Sequence, residues 1–176
     1  MRIRTATPSD RDSVQSLYHA AFPPEECEAV AGLAVNLLSE DSDPETFALL
    51  AEVDGKVSGH IAFSPVSDRS VDNFHGYILA PLAVHPQFQK RGAGTRLIEA
   101  GIQHLSELGV DIAFVYGDPQ FYGKFGFEAD MASQYEAPYP LQFPFGWQAR
   151  MVREGAEIPA SARLTCVSSL SVPELW

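Results

Sequence analysis

Gln89, Gly92 and Gly94 stand at the spacing Gln-x-x-Gly-x-Gly, between an apolar run ending at Val84 and a stretch of helical periodicity. That arrangement suits one kind of chemistry, the binding of phosphate. Leu97, Ile98, Gly101, Ile102, Leu105 and Leu108 recur at helical spacing after the turn, and Gly109 lies where a C-terminal cap belongs. A glycine-rich turn that opens a helix leaves several backbone N–H groups without intrahelical acceptors, at the positive end of the helix dipole. An ordinary strand-to-helix turn is the plain alternative. A Walker A loop requires Lys-Ser/Thr after its last glycine, whereas Gly94 is followed by Thr95 and Arg96. A dinucleotide fingerprint requires a third glycine where Leu97 stands, and it normally follows the first strand of a domain.

A second constellation lies downstream. An apolar strand over 111–116 runs into Gly117-Asp118-Pro119-Gln120-Phe121-Tyr122-Gly123-Lys124-Phe125-Gly126-Phe127. The Val84-His85-Pro86 strand end leading into Gln-x-x-Gly-x-Gly resembles the pyrophosphate loop of the GNAT acetyltransferase superfamily. The Tyr-x-x-Phe-Gly-Phe ending resembles that superfamily's Tyr-x-x-Leu-Gly-Phe, in the same order and with a helix and a strand between the two motifs. In detail both are most similar to the bacterial YhbS-type group. The resemblance covers roughly residues 76–128; the N-terminal third fits loosely, and the residues after 128 carry no motif of the family.

The resemblance implies an N-acetyltransferase that moves an acetyl group from acetyl-CoA to a primary amine of a small molecule or peptide, directly, in a ternary complex. No metal is called for. The backbone amides of Lys90, Arg91, Gly92, Gly94 and Thr95, with Gln89 beside them, would surround the pyrophosphate, and a bulky residue at Gly92 would weaken cofactor binding while leaving the fold intact. Backbone groups of Leu82 and Val84 would bond the pantetheine arm where the strand splays from its neighbour, with the Leu82 N–H polarising the acetyl carbonyl. Pro81, which brings no N–H, is consistent with an interrupted ladder there. Tyr122 would be the general acid, since a phenol suits protonation of a departing thiolate. Glu26 is the candidate base, with Glu25 and Glu28 near it. His85 reads as a structural strand-end residue, and Cys27, with no histidine partner assignable from sequence, gives no support to an acyl-cysteine route. The alternative to an enzyme is a non-catalytic acyl-CoA-binding sensor, which would have no need of Tyr122.

The composition sets outer bounds. The chain has 176 residues, 45% of them hydrophobic, and reads as a single N-acetyltransferase domain over 1–176, with core motifs at 76–128 and residues 129–176 completing the acceptor side. The net charge of −11 argues against nucleic acid. No run of 18 apolar residues spans a membrane, and Met1-Arg2-Ile3-Arg4-Thr5 runs into polar sequence without a signal-peptide core, so we expect a cytoplasmic protein. Cys27 and Cys166 form no metal-ligand pattern and are expected as free thiols. Residues 73–98 contain no acid but hold Lys90, Arg91 and Arg96, whereas residues 25–45 hold seven acids and no base. The first window suits an anionic cofactor. The second suits a cationic acceptor, or merely solvates a helix. The family resemblance allows a homodimer, which nothing in the sequence specifies.

These residues need a scaffold. A first strand is expected at 2–5 and a helix from Thr7-Pro8-Ser9-Asp10, with Val14, Leu17, Tyr18, Ala21 and Phe22 on one face. Pro23-Pro24 should break it, and a second helix should run over 26–39 with Val30, Leu33, Leu37 and Leu38 buried. Strands at 47–53 and 56–65 meet in an Asp54-Gly55 hairpin, and a third strand at 76–84 feeds the phosphate loop. Further strands are expected at 146–152 and 163–167. The aromatic segment 129–147 reads chiefly as a rigid loop packed on the core, with an acceptor-pocket wall as the other reading. The order predicts an α/β (α+β) fold: a mixed, mostly antiparallel central sheet flanked by helices on both faces.

Overall fold

The computed structural model describes residues 1–71 and 74–176; Asn73, where the acid-free window begins, lies outside the described residues. The elements run β1 (Arg2–Thr5), α1 (Arg11–Ala21), α2 (Pro24–Leu37), β2 (Phe47–Val53), β3 (Lys56–Ser67), β4 (Gly76–Val84), α3 (Ala93–Glu107), β5 (Ile112–Tyr116), α4 (Pro119–Tyr122), α5 (Ala129–Ala132), β6 (Tyr135–Glu136), β7 (Trp147–Met151), β8 (Ala162–Arg163) and β9 (Thr165–Cys166). The main sheet has the order β1-β2-β3-β4-β5-β7, with β9 added to the end of β3. Only β4 and β5 are parallel; the other pairs in this sheet are antiparallel. This is the mixed sheet that the sequence predicts.

Alternation along the strands divides the core. Ile61, Phe63, Leu79, Ala113 and Val115 face α3 and meet Leu97, Ile98 and Leu105. Leu50 and Ala83 face α1 and α2 and meet Val14, Leu17 and Ala34. A third cluster joins Leu33 and Leu37 to Ile78 and Phe114, and closes with Trp147, Leu164, Leu170 and Trp176 from the C-terminal part. Burying one large side chain of this kind is worth about 1.5–3 kcal/mol. One polar pair sits inside: the Tyr18 hydroxyl lies 2.9 Å from His60 Nδ1, and burial depresses the His60 pKa to about 3, so the ring is neutral.

Several boundaries differ from expectation for local reasons. Pro23-Pro24 does break the first helix, which stops at Ala21, but Pro24 also starts the next: its fixed φ suits the first helical position, so α2 begins there and stops at Leu37. Leu108 is 52% exposed, because it lies past the last turn of α3 that reaches the sheet. Val30 and Leu38 are half-buried rather than core. Asp111 precedes β5 and is buried against Arg153, whose Nε donates to it at 2.8 Å. The strand expected over 163–167 is two: β8 pairs with β6, β9 pairs with β3, and Leu164 is buried between them.

Candidate active site

The β4–β5 pairing ends at Leu79↔Val115. β4 continues to Val84 without that neighbour, and its register with β3 shifts between Ile61 and Phe63, opposite the stretch that contains Pro81. A proline supplies no N–H to a ladder, so the interruption falls where the sequence tolerates it. Successive residues of an antiparallel strand aim their backbone groups alternately toward and away from the partner. The His85 N–H donates to the Ser58 carbonyl at 2.9 Å, which in the register His60↔Ala83 puts the groups of Ala83 and His85 on the β3 side. Those of Leu82 and Val84 therefore turn to the opposite edge, which β5 has left. The Val84 carbonyl accepts there from Gln89 Nε2 at 3.1 Å.

That contact gives Gln89 a bracing role at the base of the turn. Lys90 (φ 59°) and Gly92 (φ 82°) are both left-handed, and Gly92 is the N-cap of α3. The first α-helical bond out of the turn runs from the Arg96 N–H to the Gly92 carbonyl, so the N–H groups of Ala93, Gly94 and Thr95 have no acceptor within the helix. The first turn of α3 carries no acidic residue. A Cβ at Gly92 would meet open space; one at Gly94 would sit 3.6 Å from both Phe121 and Val84. The loop thus borders α4 on one side and the free edge of β4 on the other, with Lys90 and Arg91 exposed beside it. Arg96 is directed elsewhere, donating to the Met1 carbonyl at 3.2 Å. His85 holds the turn before it, its Nδ1 accepting from the Gln87 N–H.

α4 carries Tyr122. Asp118 caps it, accepting the Gln120 N–H at 2.9 Å on its side chain and the Tyr122 N–H at 3.0 Å on its carbonyl. The Tyr122 ring packs edge-on against Phe121 and Phe127 and lies against Gly117, where a Cβ would come within 2.5 Å of it. Burial, and secondarily the Asp118 carboxylate, push the Tyr122 pKa up to about 12. The hydroxyl therefore keeps its proton at neutral pH.

Two adjoining cavities lie between these parts. The first, of about 430 Å³, is lined by Leu79–Leu82 of β4, by Tyr116, Asp118 and Tyr122, and by Glu26 across from them. The second, of about 730 Å³, shares Glu26, Tyr116, Asp118 and Trp176 and adds Glu25, Glu174, Phe143 and Phe145. The structure thus brings Leu82, Tyr122 and Glu26 to one cleft. Glu25 lines only the second cavity, and Glu28 lines neither among the described residues. The expectation that residues 129–176 complete the acceptor side named no particular residue; Leu170, Leu175 and Trp176 form that wall, and Asp118, also given no role from sequence, borders both cavities. The aromatic segment divides: Tyr135 and Trp147 are core, as expected, but Phe143 and Phe145 are 51% and 66% exposed and line the second cavity, against the chief expectation for them.

Glu40 holds that C-terminal wall in place. Its carboxylate accepts from the Ser168 and Ser169 N–H groups at 3.1 and 3.0 Å, and from both hydroxyls. Desolvation alone would raise its pKa, but these donors outweigh it and hold the pKa below the ordinary carboxylate value. A depressed pKa stabilises the fold above the carboxylate range, and the benefit is lost as the pH falls through it. Glu40→Ala should cost about 1–2 kcal/mol at neutral pH, discounted for solvent access. The deficit should shrink as the pH falls from the ordinary carboxylate value through the lower value of folded Glu40, where the wild-type carboxylate takes up its proton. Equal melting temperatures of the two proteins at pH 7 would show the clamp to be idle.

Both cysteines are free thiols. The fold does supply Cys27 with the histidine that sequence could not assign: ligand atoms of His19, Cys27 and Glu28 lie within 4.8 Å of one another, a set whose donor types would suit a divalent metal. Cys27 lines neither cavity of the cleft among the described residues. No helix is long and apolar enough to cross a membrane among the described residues.

Known proteins are similar to this chain in sequence and in fold. The model of the acetyltransferase (GNAT) family matches residues 11–127. YjhQ of Escherichia coli, named an uncharacterized N-acetyltransferase, is 41% identical over 113 residues, which span 63% of this chain and 62% of that protein. YhbS of Escherichia coli, named likewise, is 34% identical over 128 residues, 73% of this chain and 74% of that one. The crystal structure of YhbS in complex with CoA superposes with a TM-score of 0.76 at 26% identity, covering 93% of this chain and 87% of that one. A GNAT acetyltransferase of Brucella melitensis in complex with acetyl-CoA gives a TM-score of 0.70 at 28% identity over 96% of each chain.

Proposed function

Because the chain belongs to the GNAT acetyltransferase family, we propose that residues 1–176 act as one catalytic domain that transfers the acetyl group of acetyl-CoA to a primary amine of a small molecule or peptide. The observation that carries this reading is the opened edge of β4, with the amide-rich loop of α3 at one end and Tyr122 at the other. The pyrophosphate lies against the N–H groups of Lys90, Arg91, Gly92, Gly94 and Thr95, favoured by the helix dipole. The pantetheine arm pairs with Leu82 and Val84 like an added strand, and the thioester reaches the 430 Å³ cleft.

Glu26, directly or through a water, takes a proton from the acceptor ammonium. The free amine attacks the thioester carbon, and the Leu82 N–H donates to the oxygen as it gains charge; one such donor is worth about 2.7–4 kcal/mol. The adduct nitrogen gives up its second proton to solvent, the C–S bond breaks with its electron pair staying on sulfur, and Tyr122 protonates the thiolate before regaining its proton from solvent. One acetyl group moves, and one proton is released overall. No covalent enzyme intermediate is needed, since holding both reactants together supplies much of the rate.

Thermal unfolding with and without acetyl-CoA tests the reading, with ATP and NAD alongside. At about 100 times its dissociation constant a ligand stabilises by about 2.7 kcal/mol, a shift of several degrees for a chain of this size. The expected outcome is a shift with acetyl-CoA and none with ATP or NAD. No shift at millimolar acetyl-CoA would overturn the loop assignment. A shift without transfer to any amine would favour the sensor instead.

A further inference from the structure

We propose that the acceptor is a dicationic amine with a flat apolar body: one amine enters the transfer cleft while a second positive charge stays in the outer cavity. The inference rests on the transferase reading and deepens it. The outer cavity, at about 730 Å³, has the size of a small-molecule site and opens directly onto the cleft through shared walls. Its polar lining is one-sided. Glu25, Glu26, Asp118 and Glu174 contribute four carboxylates, and no Lys, Arg or His lines either cavity among the described residues. None of the four is in an ion pair among the described residues, although other acids are.

Glu26 borders both cavities and serves the reacting amine. Glu25 and Glu174 border only the outer one, so the charge they attract is assigned to the part of the ligand that stays outside the cleft. The apolar part of the lining fixes the body of the ligand. Phe143 and Phe145 remain exposed on this wall instead of joining the core, and the Phe143 N–H donates to the Tyr116 hydroxyl at 2.8 Å, which ties their loop to the end of β5. In the same lining the Trp176 ring stacks on Tyr116, and its Nε1–H donates to the Leu170 carbonyl at 3.0 Å. Aromatic faces flanked by carboxylates favour a flat cation and reject an anion.

A matched series decides the matter: benzylamine carrying at its para position an aminomethyl group, hydrogen or a carboxylate, with 1,4-diaminobutane as the ring-less dication. The expected kcat/KM for the aminomethyl compound, corrected for its two equivalent amines, is about tenfold above benzylamine, and that for the carboxylate about tenfold below it. Diaminobutane should fall below the aromatic dication. Raising the salt concentration should compress the charge series, because the groups are solvent-accessible. Glu25→Gln with Glu174→Gln should narrow the aminomethyl-to-hydrogen ratio to about threefold or less; the melting temperature and acetyl-CoA binding of this variant report that it folds. A flat or reversed order in the wild-type protein, or an aminomethyl-to-hydrogen ratio that stays near about tenfold in the double variant, would overturn the proposal. Should no compound turn over, titration calorimetry of the same four ligands into the CoA-loaded protein reads the same order. Loss of the order with CoA still bound sinks the dication proposal alone, whereas failure to bind acetyl-CoA sinks the transferase reading beneath it.

Discussion

Tyr122→Phe is expected to lower kcat about 100-fold, the lower end of what a positioned acid contributes, while the apparent affinity for acetyl-CoA stays within about twofold. Phenylalanine keeps the ring contacts with Phe121, Phe127 and Gly117. The variant should therefore melt close to the wild-type temperature, since a hydroxyl facing the cleft is removed rather than a packing surface. That combination separates a proton donor from a structural tyrosine. The pH profile gives a second readout. With its pKa pushed up to about 12, Tyr122 holds its proton throughout the range in which the protein works. Turnover should climb with pH as the amine loses its proton and show no decline near pH 10, where an ordinary tyrosine ionises. Unchanged kcat in Tyr122→Phe with a proven acceptor would remove Tyr122 from the mechanism, and tyrosinate absorbance assigned to it near pH 10 would remove the burial argument.

What sequence could show here was local. The Gln-x-x-Gly-x-Gly turn, the hairpin at Asp54-Gly55 and the tyrosine helix each depend on residues within one turn or one strand, and their backbones fold as the spacing predicts. Both hairpin residues take positive φ, as a tight turn requires. The site's outer wall was not legible, because it depends on contacts far apart along the chain. Glu40 reaches Ser168 and Ser169 across 128 and 129 residues, and nothing near either end announces the match. Asp118 was given no role of its own from sequence; only the fold shows that it caps α4 and borders both cavities. The aromatic segment misled because its rings share a residue type but not a fate. Trp147 lies on a strand beside Phe114, whereas Phe143 and Phe145 lie on a 3-10 turn and its approach, outside the sheet. Acid density was similarly ambiguous: of the seven acids in 25–45, only Glu25 and Glu26 reach the cavities, and Glu40 serves the wall.

Gly94→Glu should separate cofactor binding from folding more sharply than any change at Gly92. At Gly92 a side chain has open space but an unfavourable left-handed backbone, so a weakened variant would confound strain in the loop with loss of the site. Gly94 lies inside α3, and a Cβ there makes only ordinary contacts at 3.6 Å. Glutamate is a better helix former than glycine by roughly 0.5–1 kcal/mol. In the first turn of α3, which has no acid of its own, its charge also gains about 0.3–1 kcal/mol from the dipole. The variant should therefore be as stable as wild type or more so. The same charge occupies the place where a pyrophosphate must approach the Gly94 and Thr95 amides, and like charges so juxtaposed cost several kcal/mol. Acetyl-CoA affinity should fall at least about 100-fold, equivalent to roughly 2.7 kcal/mol, and the thermal shift produced by the cofactor should vanish. Gly94→Ala, with a Cβ but no charge, should keep most of the affinity. A stable Gly94→Glu protein that still binds acetyl-CoA normally would mean that the pyrophosphate lies elsewhere, and the reading of this turn as the cofactor loop would fall with it.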